Sequence, residues 1–402
     1  MSDIISKRAQ SIKPSPTLAV SQKAAELRAQ GLDIIGLGTG EPDFDTPDHI
    51  KQAAIDAIGR GQTKYTPVDG TPQLKAAIVE KFKRDNQIDY AANQILVSSG
   101  GKQSIFNLAL ALLNPGDEVI IPAPYWVSYP DIVKIAEGVP VVVLADHTQQ
   151  FKITPEQLDA AITDKTKLVF FNSPSNPTGV AYSRKEWEAL AEVIRKYPQV
   201  FVATDDMYEH ILWTEEPFSN ILMVAPDLYE RTFVLSGVSK AYSMTGWRIG
   251  YAGGPKDIIT QMKKIQSQST SNPCSISQAA ATEALDGPQE CIKTMIEAFK
   301  SRHDYLLKAL NEIPQVSCTP SDGTFYAFAN FKDLIENNNA GLDSDVALCE
   351  HFITAANVAI VPGSAFGAPG YARFSYATSL ETLEEAVKRI HKAVLDLGNG
   401  RG

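Results

Sequence analysis

The sequence predicts an α/β protein, in which a large domain with a mainly parallel, seven-stranded sheet between helices is joined by a smaller α/β domain. Short runs rich in β-branched and aromatic residues alternate with helical patterns through the middle of the chain. This alternation is typical of a parallel sheet covered by helices on both faces. One helix start is predicted from the sequence, because Ser183 is followed three residues later by Glu186, as in a capping box. Apolar residues then recur at i, i+3, i+4 and i+7, which predicts one buried face of a helix.

The strands of the large sheet are predicted from their apolar runs and the turn residues that bound them. In chain order they are residues 94–98, 118–121, 141–144, 167–171, 200–203, 232–235 and 249–252. Helical patterns dominate from 255 to 310, and short strands are predicted within 316–331, 359–362 and 373–376.

These elements divide the chain into three parts. We assign residues 46–310 to the large domain and residues 311–402 to a small C-terminal domain. Residues 1–45 are rich in Pro and Gly and do not fit the large sheet, so we expect them to be an N-terminal segment that joins the small domain.

Composition limits the possible functions. The chain has 402 residues with 44% hydrophobic and 21% charged residues, as in globular proteins of more than one domain. Its formal charge of −10 argues against binding of nucleic acid, and no apolar run is long enough to cross a membrane. Scattered cysteines and histidines give no metal-binding spacing. We therefore expect a cytoplasmic protein with no metal, nucleic-acid or membrane partner.

The segment 236–251 contains the most informative residue, Lys240, directly after a predicted strand. A lysine on a short turn between apolar segments is partly desolvated, which lowers its pKa and leaves an amine able to form a Schiff base. Arg248 offers a fork of donors suited to a phosphate. Together they indicate pyridoxal phosphate, a phosphorylated aldehyde. The alternative is an exposed turn lysine and an arginine in an ordinary ion pair.

A second segment, 98–103, contains Gly100 and Gly101 between a strand and an apolar helix. Glycines at such a turn let backbone N–H groups approach an oxyanion at a helix N-terminus. The segment is not a phosphate-binding P-loop, because Gln103 follows Lys102 and the earlier glycine is missing. The segment 36–40 likewise fails the dinucleotide-binding pattern, which argues against a nicotinamide dehydrogenase.

Three further segments place polar or aromatic residues where strands end. Asp205 follows a predicted strand and can pair with a protonated pyridine nitrogen, while Tyr208 can donate to a phenolic oxygen. Asn176 lies in a proline-rich turn after another strand, and Trp126 can stack on a pyridine ring. The alternatives are a helix N-cap for Asp205, core packing for the two aromatic residues and turn chemistry for Asn176.

The lysine segment resembles the signature of class I aminotransferases, which have the pyridoxal-phosphate-dependent transferase fold of type I. The positions that comply are Gly237, Val238, Ser239, Lys240, Arg248, Ile249 and Gly250. The other segments resemble the family in the same order, and the resemblance extends from Lys13 to Tyr376. Gly237 fits the signature, which allows Gly or Ser, but many members have a phosphate-binding serine there, and Ser239 or a water can take over its role.

The resemblance implies roles for individual residues and a homodimer with shared active sites. Lys240, as Schiff base and general acid/base, Asp205 and Tyr208 are the implied catalytic residues. The implied cofactor-binding residues are Gly100, Gly101, Lys102, Trp126, Asn176, Asp205, Tyr208, Ser239, Lys240, Arg248, and Tyr65 of the partner subunit. The implied substrate-binding residues are Gly40, Lys102, Trp126, Asn176, Arg373, Ser15 and Thr17.

The closest resemblance is to bacterial aspartate aminotransferases. It implies amino-group exchange between L-aspartate and 2-oxoglutarate. In the animal and enteric subgroup of the family, an arginine ahead of a Ser-Asn-Pro segment binds the distal carboxylate of the substrate, but residues 267–273 contain no arginine. The resemblance to the bacterial subgroup implies that Lys102 binds this carboxylate instead. A prephenate or aromatic amino-acid aminotransferase, another enzyme of the same fold, and a pyridoxal-phosphate-binding regulator without turnover stay open as alternatives.

Overall fold

The computed structural model describes residues 4–12, 14 and 16–398. Within these residues the helices are α1 Lys7–Gln10, α2 Pro16–Ala29, α3 Asp48–Gly59, α4 Pro72–Asn86, α5 Gly101–Leu112, α6 Tyr129–Ile135, α7 Pro155–Ala161, α8 Arg184–Arg195, α9 Ile221–Val224, α10 Lys256–Ser269, α11 Ser275–Asp286, α12 Glu290–Asn311, α13 Lys332–Asn337, α14 Asp345–Ala355 and α15 Leu380–Gly398. The strands are β1 Ile35–Gly36, β2 Ile95–Ser98, β3 Glu118–Ala123, β4 Val139–Leu144, β5 Thr166–Asn172, β6 Phe201–Asp205, β7 Thr232–Gly237, β8 Gly250–Gly253, β9 Ser317–Cys318, β10 Tyr326–Asn330, β11 Val358–Ala359, β12 Val361–Pro362 and β13 Tyr371–Ser375.

The large sheet has seven strands in the described part of the chain, in the order β2-β8-β7-β6-β5-β3-β4. Only β8 runs against its neighbours there, since it pairs antiparallel with both β2 and β7. The predicted fold class and all seven predicted strands are confirmed, with bounds that differ by a few residues. Most of these strands are buried on both faces, which explains why they read as continuous apolar runs.

The predicted capping box is also confirmed. The Ser183 hydroxyl accepts the Glu186 N–H at 3.3 Å, and the Glu186 carboxylate accepts the Ser183 N–H at 2.7 Å. These bonds satisfy backbone donors that the first turn of α8 cannot pair internally. The apolar stripe that follows, from Trp187 to Ile194, is buried against the sheet.

The C-terminal part contains a second sheet, ordered β12-β13-β10-β9 and antiparallel throughout. The predicted strand region 316–331 is divided here into β9 and β10 by a loop. Helices α12, α14 and α15 pack with this sheet in one apolar core. Near the other end of the chain, β1 pairs in parallel with β11. The domain boundaries at residues 45 and 310 stay a prediction.

No helix in residues 4–12, 14 and 16–398 is both long and apolar enough to cross a membrane.

Candidate active site

The candidate site lies where several strands of the large sheet end. Strands β5, β6 and β7 are parallel, and β2 runs in the same direction because β8 is antiparallel to both β2 and β7. Their carboxyl ends therefore meet at one edge, where open α/β sheets bind ligands. The register places Asn172 of β5 beside Asp205 of β6, and Gly250 beside both Ser98 and Gly237.

A cavity of about 380 Å³ opens at this edge. Twelve of the predicted site residues line it: Thr17, Gly40, Gly101, Lys102, Trp126, Asn176, Asp205, Tyr208, Ser239, Lys240, Arg248 and Arg373. Gly100 is not among the lining residues, but it directly precedes Gly101 in the chain. Ser15 lies outside the described residues. Tyr65 is 93% exposed and borders a different surface pocket, so its predicted role at the site of a partner stays a prediction.

Lys240 lies three residues beyond β7, and its ammonium donates to the Gly40 carbonyl at 2.5 Å. Burial and, after it, the nearby Arg373 charge together lower the pKa of Lys240 from its ordinary value to about 8. A low dielectric disfavours the charged amine, as does a like charge. Lys240 is therefore available as a neutral nucleophile or base at a pH where ordinary lysines are fully protonated.

The Gly100 turn forms a cradle suited to an anion. Gly100 has φ +89°, and a Cβ placed on it would lie 2.2 Å from Arg248 Nη2. A Cβ on Gly250 would lie 2.2 Å from the Gly101 backbone nitrogen. Only glycine fits at either position. The N-terminus of α5 and the exposed Arg248 guanidinium thus approach one another closely, as phosphate binding requires.

Asp205 is a buried carboxylate with few partners. Its Oδ2 accepts the Tyr129 hydroxyl at 2.6 Å, and its Oδ1 accepts the Met207 N–H at 3.3 Å. Burial raises the pKa of Asp205 to about 6, against the lowering effect of Tyr129. Among the described residues no cation forms an ion pair with Asp205 in this structure, so a cationic ligand nitrogen fits the free charge.

Arg373 lies on β13 and is 2% exposed. It donates to Asn176 Oδ1 at 2.8 Å and to the Gly38 carbonyl at 2.7 Å, and its Nε has no hydrogen-bond partner within the described residues. A buried guanidinium without a carboxylate partner is costly, and a ligand carboxylate is the group that its planar fork matches best. Asn176 is held in turn by its own N–H, which donates to Asn172 Oδ1 at 2.8 Å.

Lys102 is exposed at the mouth of the cavity, with its ammonium 4.9 Å from the centre of the Trp126 ring. Although part of its side chain reaches solvent, partial desolvation by the surrounding cavity wall and the Arg248 charge both lower the pKa of Lys102. Together with Arg248 and Arg373, Lys102 makes the cavity cationic in a chain of net charge −10. Such a site attracts small anions.

Two tyrosines of the site were not predicted from the sequence. Tyr129, the first residue of α6, stacks on Phe170 with ring centroids 5.0 Å apart and donates to Asp205. Tyr326, the first residue of β10, has its hydroxyl 3.0 Å from that of Tyr208. Both contacts join residues distant in the sequence, so no local pattern signals them.

Comparison with known proteins identifies the class to which this fold and site belong. The sequence profile described as "Aminotransferase class I and II" matches residues 32–390. The chain therefore belongs to the class I and II aminotransferase family. The family predicted from the lysine segment is confirmed.

Within this family, the chain is similar to proteins named as aminotransferases of aspartate. The chain is 60% identical over 390 residues to an aspartate/prephenate aminotransferase of Nitrosomonas europaea, covering 96% of this chain and 98% of the relative. It is 54% identical to an aspartate/prephenate aminotransferase of Cereibacter sphaeroides, covering 94% and 96%. Among solved structures, an aspartate aminotransferase from Rhizobium meliloti superposes with a TM-score of 0.95 at 48% identity, covering 98% of this chain and 99% of that one. An aspartate aminotransferase from Thermus thermophilus with maleate gives a TM-score of 0.91 at 42% identity, covering 97% and 99%.

Proposed function

We propose that this protein binds pyridoxal phosphate and transfers an amino group between L-aspartate and 2-oxoglutarate, giving oxaloacetate and L-glutamate in two half-reactions. One observation carries the proposal. A single cavity brings together a lysine amine whose pKa is lowered, a buried arginine with an unpaired Nε and a buried carboxylate without a cation. Each of these groups lacks a partner that the cofactor or an amino-acid substrate supplies.

The residues present fit the cofactor. Lys240 would join its aldehyde carbon, and the cradle of Gly100, Gly101 and Arg248 would hold its phosphate, with Ser239 in the place of the serine missing at 237. Asp205 would pair with the ring nitrogen. The face of Trp126 would cover the ring, and Tyr208 with Asn176 would hold the phenolic oxygen.

The reaction needs an acid–base group and a fixed substrate. Bound pyridoxal phosphate supplies an electron-accepting ring and carries the amino group from one half-reaction to the next. Arg373 fixes the substrate α-carboxylate, assisted by the backbone at Gly40, and so orients the Cα–H bond. Lys240 Nζ then takes the proton from the substrate Cα and would deliver it to the cofactor carbon that receives the amino group, a transfer that suits an amine whose pKa is lowered toward neutral pH.

The substrate proposal rests on charge. Aspartate and 2-oxoglutarate each carry a second carboxylate, and Lys102 at the cavity mouth is the cation placed to meet it, with the Thr17 hydroxyl nearby. Prephenate is a second candidate, because the relatives from N. europaea and C. sphaeroides bear the name aspartate/prephenate aminotransferase. Prephenate also carries two carboxylates, so the same cations serve both substrates.

The proposal includes a homodimer and two domains. Tyr65 is 93% exposed and Ile55 is 58% exposed, so both side chains are free to contact a second copy of the chain. In that dimer Tyr65 of the partner subunit would reach the cofactor phosphate. The pairing of β1 with β11 supports the assignment of residues 1–45 to the small domain 311–402, with the large domain at 46–310.

Trapping the lysine tests the proposal. The cofactor-loaded enzyme is reduced with borohydride, digested and mapped, and the label is expected on Lys240. The Lys240→Ala variant should lose the visible absorbance band of the lysine–cofactor imine, the label and oxaloacetate formation. Lys264 is an exposed lysine on α10, and the Lys264→Ala variant should retain all three. Label at another residue, or normal turnover by Lys240→Ala, would refute the assignment. A band and label without oxaloacetate formation would favour a regulator.

A further inference from the structure

Tyr326 occupies a central position in the site without any role in the function proposed above. It is fully buried at the start of β10, and its hydroxyl lies 3.0 Å from the Tyr208 hydroxyl. A Cβ on Gly40 would lie 2.9 Å from the Tyr326 hydroxyl, so the absence of a side chain at 40 leaves room for it. The hydroxyl is therefore fixed within the wall of the cavity.

The ring of Tyr326 also contacts the substrate-binding arginine. The Arg373 guanidinium carbon lies 4.4 Å from the centre of this ring, within the range of a cation–π interaction. The two residues lie on neighbouring antiparallel strands, with Tyr326 paired to Ser375 and Phe328 to Arg373. Two packed strands thus hold the ring against the guanidinium, so one side chain contacts both Arg373 and Tyr208.

We propose that Tyr326 is a positioning residue that donates a hydrogen bond to Tyr208 and thereby strengthens the bond that Tyr208 donates to the cofactor's phenolic oxygen. This inference rests on the proposed cofactor site. It adds a link between that oxygen and Arg373, the residue that binds the substrate α-carboxylate.

The direction of the hydrogen bonds follows from charge. Between two tyrosine hydroxyls either oxygen can donate. When an anionic oxygen lies beside Tyr208, the Tyr208 hydroxyl donates its hydrogen bond to that oxygen. The Tyr208 oxygen can then only accept a hydrogen bond from the Tyr326 hydroxyl. Hydrogen bonds in such a chain polarise one another, which makes Tyr208 a better donor than an isolated tyrosine. Burial raises the pKa of Tyr326, but the Arg373 charge over its ring opposes this effect and so makes the Tyr326 hydroxyl a better donor than burial alone would leave it.

A change at Tyr326 should alter the acid–base behaviour of the loaded enzyme. Donation from Tyr208 stabilises the anionic oxygen and weakens its attraction for a proton on the neighbouring Lys240 nitrogen. The tyrosine pair therefore lowers the apparent pKa of the Lys240 nitrogen in the loaded enzyme, which is the pKa that a titration of the visible absorbance reports. Loss of the Tyr326 hydroxyl should raise this apparent pKa by roughly half a unit, at the low end of what one hydrogen bond contributes.

The test is a pH titration of the visible absorbance of the loaded enzyme. Tyr326→Phe keeps the ring beneath Arg373 and should raise the apparent pKa, whereas 3-fluorotyrosine at 326, a more acidic phenol and stronger donor, should lower it. Tyr90→Phe is the matched control, because Tyr90 is buried and its hydroxyl has no hydrogen-bond partner in the described part of the chain. Its titration should match that of the wild type.

A double-mutant cycle separates positioning from a general loss of structure. In a Tyr208→Phe background, Tyr326→Phe should produce no further shift, because the acceptor of its hydrogen bond is gone. Equal shifts in both backgrounds, or shifts of the same sign for phenylalanine and fluorotyrosine, would overturn the inference. If Tyr326→Phe fails to fold, the fluorotyrosine variant decides alone. A wild-type enzyme without a titrating band contradicts the proposed function itself, whereas a normal wild-type titration with unchanged variants contradicts only the role of Tyr326.

Discussion

The lowered pKa of Lys240 makes a quantitative prediction about how fast the protein takes up its cofactor. Lowering the pKa from 10.5 to about 8 raises the neutral fraction of this amine at pH 7 from about 0.03% to about 10%, roughly 300-fold. Only the neutral amine attacks an aldehyde. Uptake should therefore accelerate about tenfold per pH unit up to about pH 8 and then level off.

The assay mixes cofactor-free protein with pyridoxal phosphate in a stopped-flow instrument between pH 6 and pH 10. The reference is Nα-acetyl-lysine amide under the same conditions, because dividing by its rate removes the titration of the cofactor itself. For the reference the rise continues toward pH 10. A rate for the protein that follows the reference without a break near pH 8 would show that burial and Arg373 do not lower the pKa of Lys240.

The same shift has a consequence for stability, and its sign follows from proton counting. Between about pH 8 and 10.5 the unfolded chain holds a proton on Lys240 that the folded chain has released. The free energy of unfolding therefore rises with pH across this window. Below the window Lys240 is charged in both states, and the cost of burying this charge in the folded chain is fully present. Lys240→Met, which has a similar shape and no charge, should make cofactor-free protein more stable at pH 7 in urea unfolding, with the difference shrinking above pH 8.

Two further predictions concern the neighbouring residues. Lys102→Ala should lower kcat/KM for aspartate by about tenfold, since the partly screened contact is worth roughly 1.4 kcal/mol, and should change kcat/KM for phenylalanine much less; equal losses would place Lys102 at the phosphate instead. Tyr129→Phe removes a hydrogen bond that lowers the pKa of Asp205, so that pKa should rise further above about 6. The affinity for pyridoxal phosphate in equilibrium dialysis should then weaken at pH 6 more than at pH 8, and a loss that is equal at both values would show that Tyr129 acts through packing alone.

The sequence predicted the elements whose signals are local. Most strands of the large sheet are buried on both faces and therefore appear as uninterrupted apolar runs, and the start of α8 carries its own capping residues. The family was predicted for a similar reason, because Lys240 and Arg248 lie on one short segment with constrained spacing. In both cases the physical requirement falls on residues that are close together in the chain.

Contacts across the chain were not predictable in this way. Tyr129 and Asp205 are separated by 76 positions, and Tyr208 and Tyr326 by 118. Tyrosine is common in apolar cores, and nothing near Tyr129 or Tyr326 distinguishes a hydrogen-bonding role from packing. Only the fold, which brings β10 and α6 to the same edge of the large sheet, reveals the partners.

The charges of the cavity act on Lys240 as well as on the ligands. Arg373 and Arg248 both lower the pKa of Lys240, and both are the groups proposed to bind anions, a carboxylate and a phosphate. In the empty site their charge adds to the effect of burial and raises the neutral fraction of the amine, which favours attack on the cofactor aldehyde. When anions neutralise Arg373 and Arg248, this repulsion falls and the affinity of Lys240 for a proton rises. Binding of the substrate carboxylate therefore makes Lys240 a stronger base in the complex in which it is proposed to take the Cα proton.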